Sequence, residues 1–585
     1  MPSRSRSPRG NPLVGHGVGN DIPMDAQLGQ FLKKQFLLNK LPANTIQEIA
    51  LLAQQGGAHH MRGLSKLGNN GNACKNISRD LMRASMHNVS VPKPYMVTIP
   101  ITLPKTKVVA LVEHPVLLPS EVLAWMLLNG KLSLKEIVNM QEAQPVMYTR
   151  FQDKCNKFHL PETKTIPIGL HGDGVPFQKS THKQSTIEVL SWNLLFETKS
   201  KRVLFSCLPK DMYCKCGCSG RHTLDALLEV LVWDLNMLLG GIIATVRHDG
   251  HAWLPTDAER QQHAGKPLEF HAILMVARGD WPWYWQIFNF PAHNAQMMCW
   301  RCKATSNGDC AYFNSGENAP WREQRYKVGE FLNDLIKQGV QPCKLFSLPT
   351  FTVDDVAMGT LHVMDLGVTA YCLGNVLYEA LDYSGLMHNT REGRCCLLWD
   401  KLRIYYHVNK IPNQLQGLTI TMIKAKNKPP KLRGKGKINR YLVRFALELA
   451  WDMHNLHNCW HTHMVLKVMN NLSQLYSIMR MNWCPDLASK HSMDLMDALV
   501  DLANESEQMG WCTWSVKPKY HLMEEMFQYQ SYEMGNPDTY NEYLDEDFVG
   551  QVAKVALRRG GWGTHRAHAL GLMSRYRALL NMWEI

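Results

Sequence analysis

The chain has no run approaching 18 uninterrupted apolar residues, so no membrane-spanning helix is expected. Its first residues, Met1-Pro-Ser-Arg-Ser-Arg-Ser-Pro-Arg-Gly, lack the apolar core of a secretory signal. They read as a disordered basic tail over 1–25, and the protein is expected to be nuclear or nucleocytoplasmic and not secreted. No tandem repeat recurs, which argues against a solenoid or propeller. Residues 26–160 carry no fingerprint of a known DNA reader. A disulfide framework is not expected either. The 16 cysteines of an intracellular-looking chain this long point instead to thiols and metal ligands.

What is present is a globular composition, 45% hydrophobic, spread over 585 residues and therefore over several units of structure. The net charge of +13 favours a polyanionic partner, since each Lys or Arg set on a phosphate releases counterions. Residues 26–160 have mainly helical spacing, as in Ala26–Leu38 and Pro42–Leu52, with an extended, proline-punctuated stretch over Pro92–Pro104. Residues 161–310 read as a sheet-containing core with Cys-rich segments. Beyond them lie a helical insertion with a basic loop over 311–436 and a helical C-terminal region over 437–585.

The core carries the chemistry. Thr165–Leu170, Ser185–Phe196 and Lys201–Leu208 read as strands, and Thr223–Leu239 as an amphipathic helix stopped by Gly240-Gly241. A further strand from Phe270 ends at Asp280. Asp173 follows the first strand in an Asp-Gly pair that reads as a turn. Three strands, a helix and a fourth strand form the opening order of the RNase H fold, whose catalytic acids sit on the first and fourth strands. The expected class is thus α+β, with an RNase H-like mixed sheet core. Carboxylates held on a rigid sheet suit Mg²⁺, a hard ion that prefers oxygen ligands. Trp281, Trp283 and Trp285 are expected to wall the pocket beside Asp280.

Cys299-Trp-Arg-Cys302 has zinc-ligand spacing, with His293, Cys310 or a more distant residue completing the set. A second cluster, Cys214-Lys-Cys216-Gly-Cys218-Ser-Gly-Arg-His222, can wrap one zinc within nine residues. Residues 424–440 hold eight basic side chains and no acid. They include Lys431, Arg433, Lys435, Lys437 and Arg440. Without interleaved aromatics, this stretch reads as an exposed loop that tracks a DNA backbone without reading bases.

With these residues in view, the chain resembles transposases of the CACTA/En-Spm type and their domesticated or degenerate relatives. His171-Gly-Asp-Gly-Val-Pro-Phe resembles the family's first strand and Gly279-Asp280-Trp-Pro-Trp its second acid motif. Phe290–Cys302 resembles the lead into its Cys-x-x-Cys. Leu361–Val368 with Leu373–Leu377 resembles its Asp-x-x-His helix region, and Pro518–Leu522, Asn536-Pro and Tyr543–Gly550 its C-terminal segment. The resemblance implies DNA cleavage and strand transfer by two-metal in-line attack, with Asp173 and Asp280 as the first two acids. Two departures stand out. Gly359 occupies the place of the acid in Asp-x-x-His, with Asp365 on the other side of His362. Ile438 stands where a third carboxylate would serve, leaving Glu448, or Glu546 in what reads as a solvated acidic turn. The alternative is therefore a catalytically dead, transposase-derived nucleic-acid-binding or scaffold protein.

Overall fold

The computed structural model describes residues 23–66, 76–179, 184–196, 201–557 and 565–582. Most of the basic tail lies outside them. Two compact units are present, divided between residues 89 and 90. The first joins Met1–Val89 to Ser574–Trp583. Its helices α1 (Met24–Leu37), α2 (Ala43–Gln55) and α3 (Ile77–Met86) bury Leu32, Phe36, Leu37, Ile46, Ala50 and Leu81. Ala578, more than 490 positions from Leu81, completes that core.

The second unit, Ser90–Met573, is α+β. It opens with an antiparallel pair, β1 (Tyr95–Thr102) and β2 (Val109–Val116), in register from Tyr95↔Val116 to Thr102↔Val109. β1 lies within the stretch 92–104 read as extended, and the rest of 26–160 is mainly helical apart from β2. Pro100 stands opposite Leu111 and Pro115 opposite Met96 in a two-stranded ribbon, where a missing N–H is tolerated. Helices α4 (Pro119–Leu128) and α5 (Pro145–Lys157) follow.

A four-stranded mixed sheet lies at the centre. Its order is β5 (Arg202–Pro209), β4 (Gln184–Leu194), β3 (Thr165–Lys179) and β6 (His271–Gly279). β4 runs antiparallel to both β5 and β3, and β6 runs parallel to β3. That parallel pairing requires a crossover, supplied by α6 (Arg221–Gly240), which ends on Gly241 in a left-handed conformation (φ 66°). Leu224, Leu227, Leu228, Leu231, Leu235 and Leu238 form its buried stripe, and the helix packs on β1 and β6. β3 also runs on through Asp173 to Lys179, paired with β4 throughout, so Asp173-Gly174 is not a turn.

The rest of this unit is helical. It includes α7 (Trp281–Phe288), α8 (Thr369–Tyr383) behind a π-helical stretch Leu361–Val368, and α9 (Arg391–Val408). Helices α10 (Gly436–His457), α11 (Trp460–Arg480) and α12 (Pro485–Gln508) pack in sequence on one another. α13 (Pro518–Glu525) and α14 (Tyr543–Leu557) follow, and α15 (His565–Asn581) begins in this unit and ends in the first. No helix of the described residues is long and apolar enough to cross a membrane. Within the bundle, His461 Nδ1 lies 2.5 Å from Glu505 and its Nε2 3.1 Å from Glu379. Burial pulls the imidazole pKa down, but the two carboxylates outweigh it and raise it from 6.5 to about 9. A raised histidine pKa stabilises the fold fully below about 6.5, and that contribution is lost as pH rises through about 9. His461→Gln should therefore flatten the fall in denaturation free energy across that window, a span of up to about 3 kcal/mol.

Candidate carboxylate and metal sites

β3 and β6 are in register with Gly172 opposite Gly279, so Asp173 and Asp280 follow at equivalent steps of neighbouring strands. Both glycines are required there. A Cβ at Gly172 would lie 2.0 Å from Trp283 Nε1, and one at Gly279 2.4 Å from Trp283 Cε3. The indole thus lies flat over both strand ends. Trp281 is buried too, edge-on to Trp300, whereas Trp285 is half exposed. Asp280 caps α7, its Oδ1 accepting from Trp283 N at 2.7 Å. Asp173 is nearly buried, and its Oδ1 accepts from Gly174 N at 2.7 Å. Burial first, then the charges of Glu546 and Asp280, push its pKa up to about 7.

Glu546 is the residue that sequence reasoning placed in a solvated turn. It stands instead in the first turn of α14, a helix packed across β3 and β4. Its neighbour Asp545 pins that helix to the sheet, fully buried between Arg202 Nε of β5 (2.8 Å) and Arg278 Nη2 of β6 (3.4 Å). Glu546 Oε1 in turn lies 3.2 Å from His362 Nε2. The missing acid at Gly359 also has an explanation. A Cβ there would lie 1.3 Å from Glu542 Oε1, so the Glu542 carboxylate fills the space a side chain at 359 would need. Glu542 is buried, which raises its pKa to about 7, and its Oε2 accepts from Leu361 N at 3.3 Å.

Glu448 does not join this group. It is exposed on α10 and pairs only loosely with Arg444, one turn away at 3.6 Å. Asp365 does not substitute for the missing acid either. Its buried carboxylate accepts from Arg440 Nη2 (3.0 Å), Tyr476 (2.5 Å) and Tyr543 (2.6 Å). Two cations border the carboxylates: Lys210 Nζ, 2.6 Å from buried Glu188, and Lys519. Burial and Lys431 bring Lys519 down to about 8, against the pull of Asp280 and Glu542. Among the described residues, only two Cys/His-containing groups bring three or more donor atoms within 4.8 Å of one another. Asp173, Asp280 and Glu546 are not among these groups.

One of those two groups joins Cys299 and Cys302 to His521 and Glu525, all four buried. His521 Nε2 is 3.2 Å from Cys302 Sγ and 3.8 Å from Glu525 Oε1, and the histidine and glutamate share one face of α13 at i, i+4. Burial pushes the Cys299 thiol up, but hydrogen bonds with Cys302 and His521 outweigh it and bring the pKa down to about 5. Two cysteine sulfurs, an imidazole and a carboxylate form a donor set that could hold zinc once both thiols are deprotonated. Of the candidates read from sequence, His293 packs edge-on to Trp281 and Cys310 Sγ accepts from Gln324 Nε2 at 3.1 Å, so it is the more distant residues that meet the cysteines. Cys299→Ser should lower bound zinc by about one ion per chain and destabilise the fold, read by elemental analysis and thermal melting. The second group, Cys214, Cys216, Cys218 and His222, is the one the spacing predicted.

The basic stretch is less free than a loop. Leu432 N donates to Ala370 O (2.8 Å), Leu432 is buried, and the backbone of Lys431 lies against Gly374 of α8, where a Cβ would meet it at 2.5 Å. Lys431, Arg433, Lys435 and Lys437 remain exposed along this strap. Arg440 is not available to a phosphate. Its guanidinium joins Asp365 to Asp538, at 3.0 and 2.7 Å, on the first turns of α10. No family model matches this chain, and no curated protein is found to be similar to it.

Proposed function

We propose that the protein is a transposase-like DNA polynucleotidyl transferase or nuclease in which Asp173, Asp280 and Glu546 hold Mg²⁺ on an RNase H-like core. The observation that carries this reading is the placement of two aspartates at equivalent steps of neighbouring parallel strands, with a third carboxylate brought over the first of them by a helix. The strand order, with three antiparallel strands, a crossover helix and a parallel fourth, supports the same fold. Bound Mg²⁺ would supply an activated water or 3′-hydroxyl and charge stabilisation at the leaving oxygen. The chain's own side chains do the rest. His362 holds Glu546 in place, and Trp283 closes the strand ends against water. Lys519 and Lys431 carry positive charge from the basic strap towards Asp280, a path for the phosphate backbone of DNA.

A second reading has its own support. Lys210 already neutralises Glu188, and His362 faces Glu546, a pattern compatible with carboxylates kept for folding in a protein that binds nucleic acid without cleaving it. Mg²⁺-dependent nicking of supercoiled DNA by the purified chain separates the two. Both readings require DNA affinity that falls with rising salt. Neutralising Lys431, Arg433, Lys435 and Lys437 together should reduce the slope of log K against log salt by up to about 4, equally for unrelated sequences. A filter-binding titration over a range of salt concentrations measures it, and an unchanged slope would remove the strap from the interface.

A further inference from the structure

We infer that Cys214, Cys216, Cys218 and His222 form a second metal site, a zinc-binding loop at the surface that loads and releases its ion without unfolding the protein. The site is independent of the proposed DNA chemistry. Its four donor atoms all lie within 4.8 Å of one another. His222 Nδ1 is 3.3 Å from Cys216 Sγ and 3.8 Å from Cys214 Sγ. Zn–S bonds near 2.3 Å place the corners of a tetrahedron about 3.8 Å apart, so the donors already stand near the spacing a zinc ion imposes.

The backbone accounts for how nine consecutive residues achieve this. Gly217 (φ 104°), Ser219 (φ 52°) and Gly220 (φ 87°) take left-handed conformations within four positions, coiling the chain so that alternate cysteines turn inward. Gly220 must be glycine on a second count, because a Cβ would sit 2.7 Å from the Tyr213 ring. Both ends of the coil are anchored to β1. Tyr213 bridges to Ile101, Lys215 N donates to Thr102 Oγ1 at 2.9 Å, and Thr223 Oγ1 accepts from Cys214 N while donating to Pro100 O. The frame therefore stands without the ion, and metal binding has little backbone left to order.

Donor chemistry selects the ion. Three sulfurs and one imidazole suit tetrahedral Zn²⁺, whereas Mg²⁺ requires oxygen. None of the three cysteines is disulfide-bonded. Exposure sets this site apart from the buried one. Cys299, Cys302, His521 and Glu525 are all buried and drawn from segments more than 200 residues apart, so their ion cannot leave without parting those segments. Here Cys216 and His222 are exposed and Cys218 half-buried, which gives a chelator direct access.

The test uses the full-length chain, zinc-loaded under reducing conditions and then gel-filtered. Elemental analysis should find about two zinc ions per chain, one passing rapidly to a chromogenic chelator and the other only on unfolding. The Cys216→Ser, Cys218→Ser double variant should keep its circular dichroism and the slow ion and lose the fast one. Cys299→Ser should do the reverse for the metal. Zinc should also slow alkylation of Cys216, located by peptide mass, by at least about tenfold. The inference is overturned if the double variant binds as much zinc as the parent. Alkylation of Cys216 at the same rate with and without zinc, or a disulfide within 214–218 in the reduced preparation, would also overturn it. Loss of zinc from Cys299→Ser alone would leave the buried site intact as a reading and remove this one.

Discussion

Replacing Asp173 by asparagine is expected to abolish Mg²⁺-dependent DNA cleavage while leaving salt-sensitive DNA binding in place. Asp280→Asn and Glu546→Gln should do the same. Each removes a carboxylate oxygen from a set that has only three elements to draw on: a central strand, its parallel neighbour and the helix across them. Partners that merely orient a metal ligand cost about 10–100-fold when lost. The ligands themselves should cost more, and His362→Ala, which acts through Glu546, should fall in that 10–100-fold range. Glu448→Gln supplies the contrast. Its side chain is exposed on α10 beside Arg444, and the variant should cleave like the parent. Plasmid nicking in Mg²⁺ and Mn²⁺, with folding checked by circular dichroism, reads all five. A parent protein that binds DNA but nicks it with neither ion would leave the scaffold reading in possession. A Glu448→Gln variant as inactive as Asp173→Asn would show that the third acid is misassigned.

The largest loss of stability is expected from Asp545→Ala. Asp545 is fully buried between Arg202 and Arg278, themselves almost inaccessible. Removing one partner of a buried ion pair leaves an uncompensated charge and typically costs about 3–5 kcal/mol. Two guanidiniums share this carboxylate, so the upper part of that range is expected in urea denaturation. Asp547→Ala, exposed on the same helix, should stay within about 0.5 kcal/mol of the parent. Equal effects at 545 and 547 would mean that α14 is not held to the sheet in this way. The position of Glu546, and with it the proposed site, would then lose its structural basis.

Much of the sheet was legible because strands and crossover helices obey short-range rules. The short runs rich in apolar and β-branched residues around 166, 188, 204 and 274 read as strands, and the leucine stripe of 224–238 ended on glycine as a helix should. Asp280 was found because the strand-like run from Phe270 ends on it, and the structure adds that it caps α7. The local rules misjudged Asp173, whose Asp-Gly pair has turn chemistry but is held extended by pairing with Val189 and Glu188 of β4. β1 was read only as an extended stretch and β2 was missed, because proline breaks strand patterns except in a narrow ribbon. The Cys-x-C-x-C-x₃-His cluster was fully readable, since all its ligands fall within nine residues.

The sequence alone therefore determined the α+β class, the strand–helix order of the core, two of the three candidate acids and the zinc-like cysteine spacings. Tertiary structure alone decided which distant residues meet them. Glu546 reaches β3 from 373 positions away, His521 reaches Cys302 from 219, and Glu542 fills the space left by Gly359 from 183. No local pattern marks these residues, because an acid in the first turn of a helix is favoured by the helix dipole whether or not it has a second task. What selects Glu546 is the orientation of α14, and that is set by one buried aspartate between two arginines on the outer strands of the sheet.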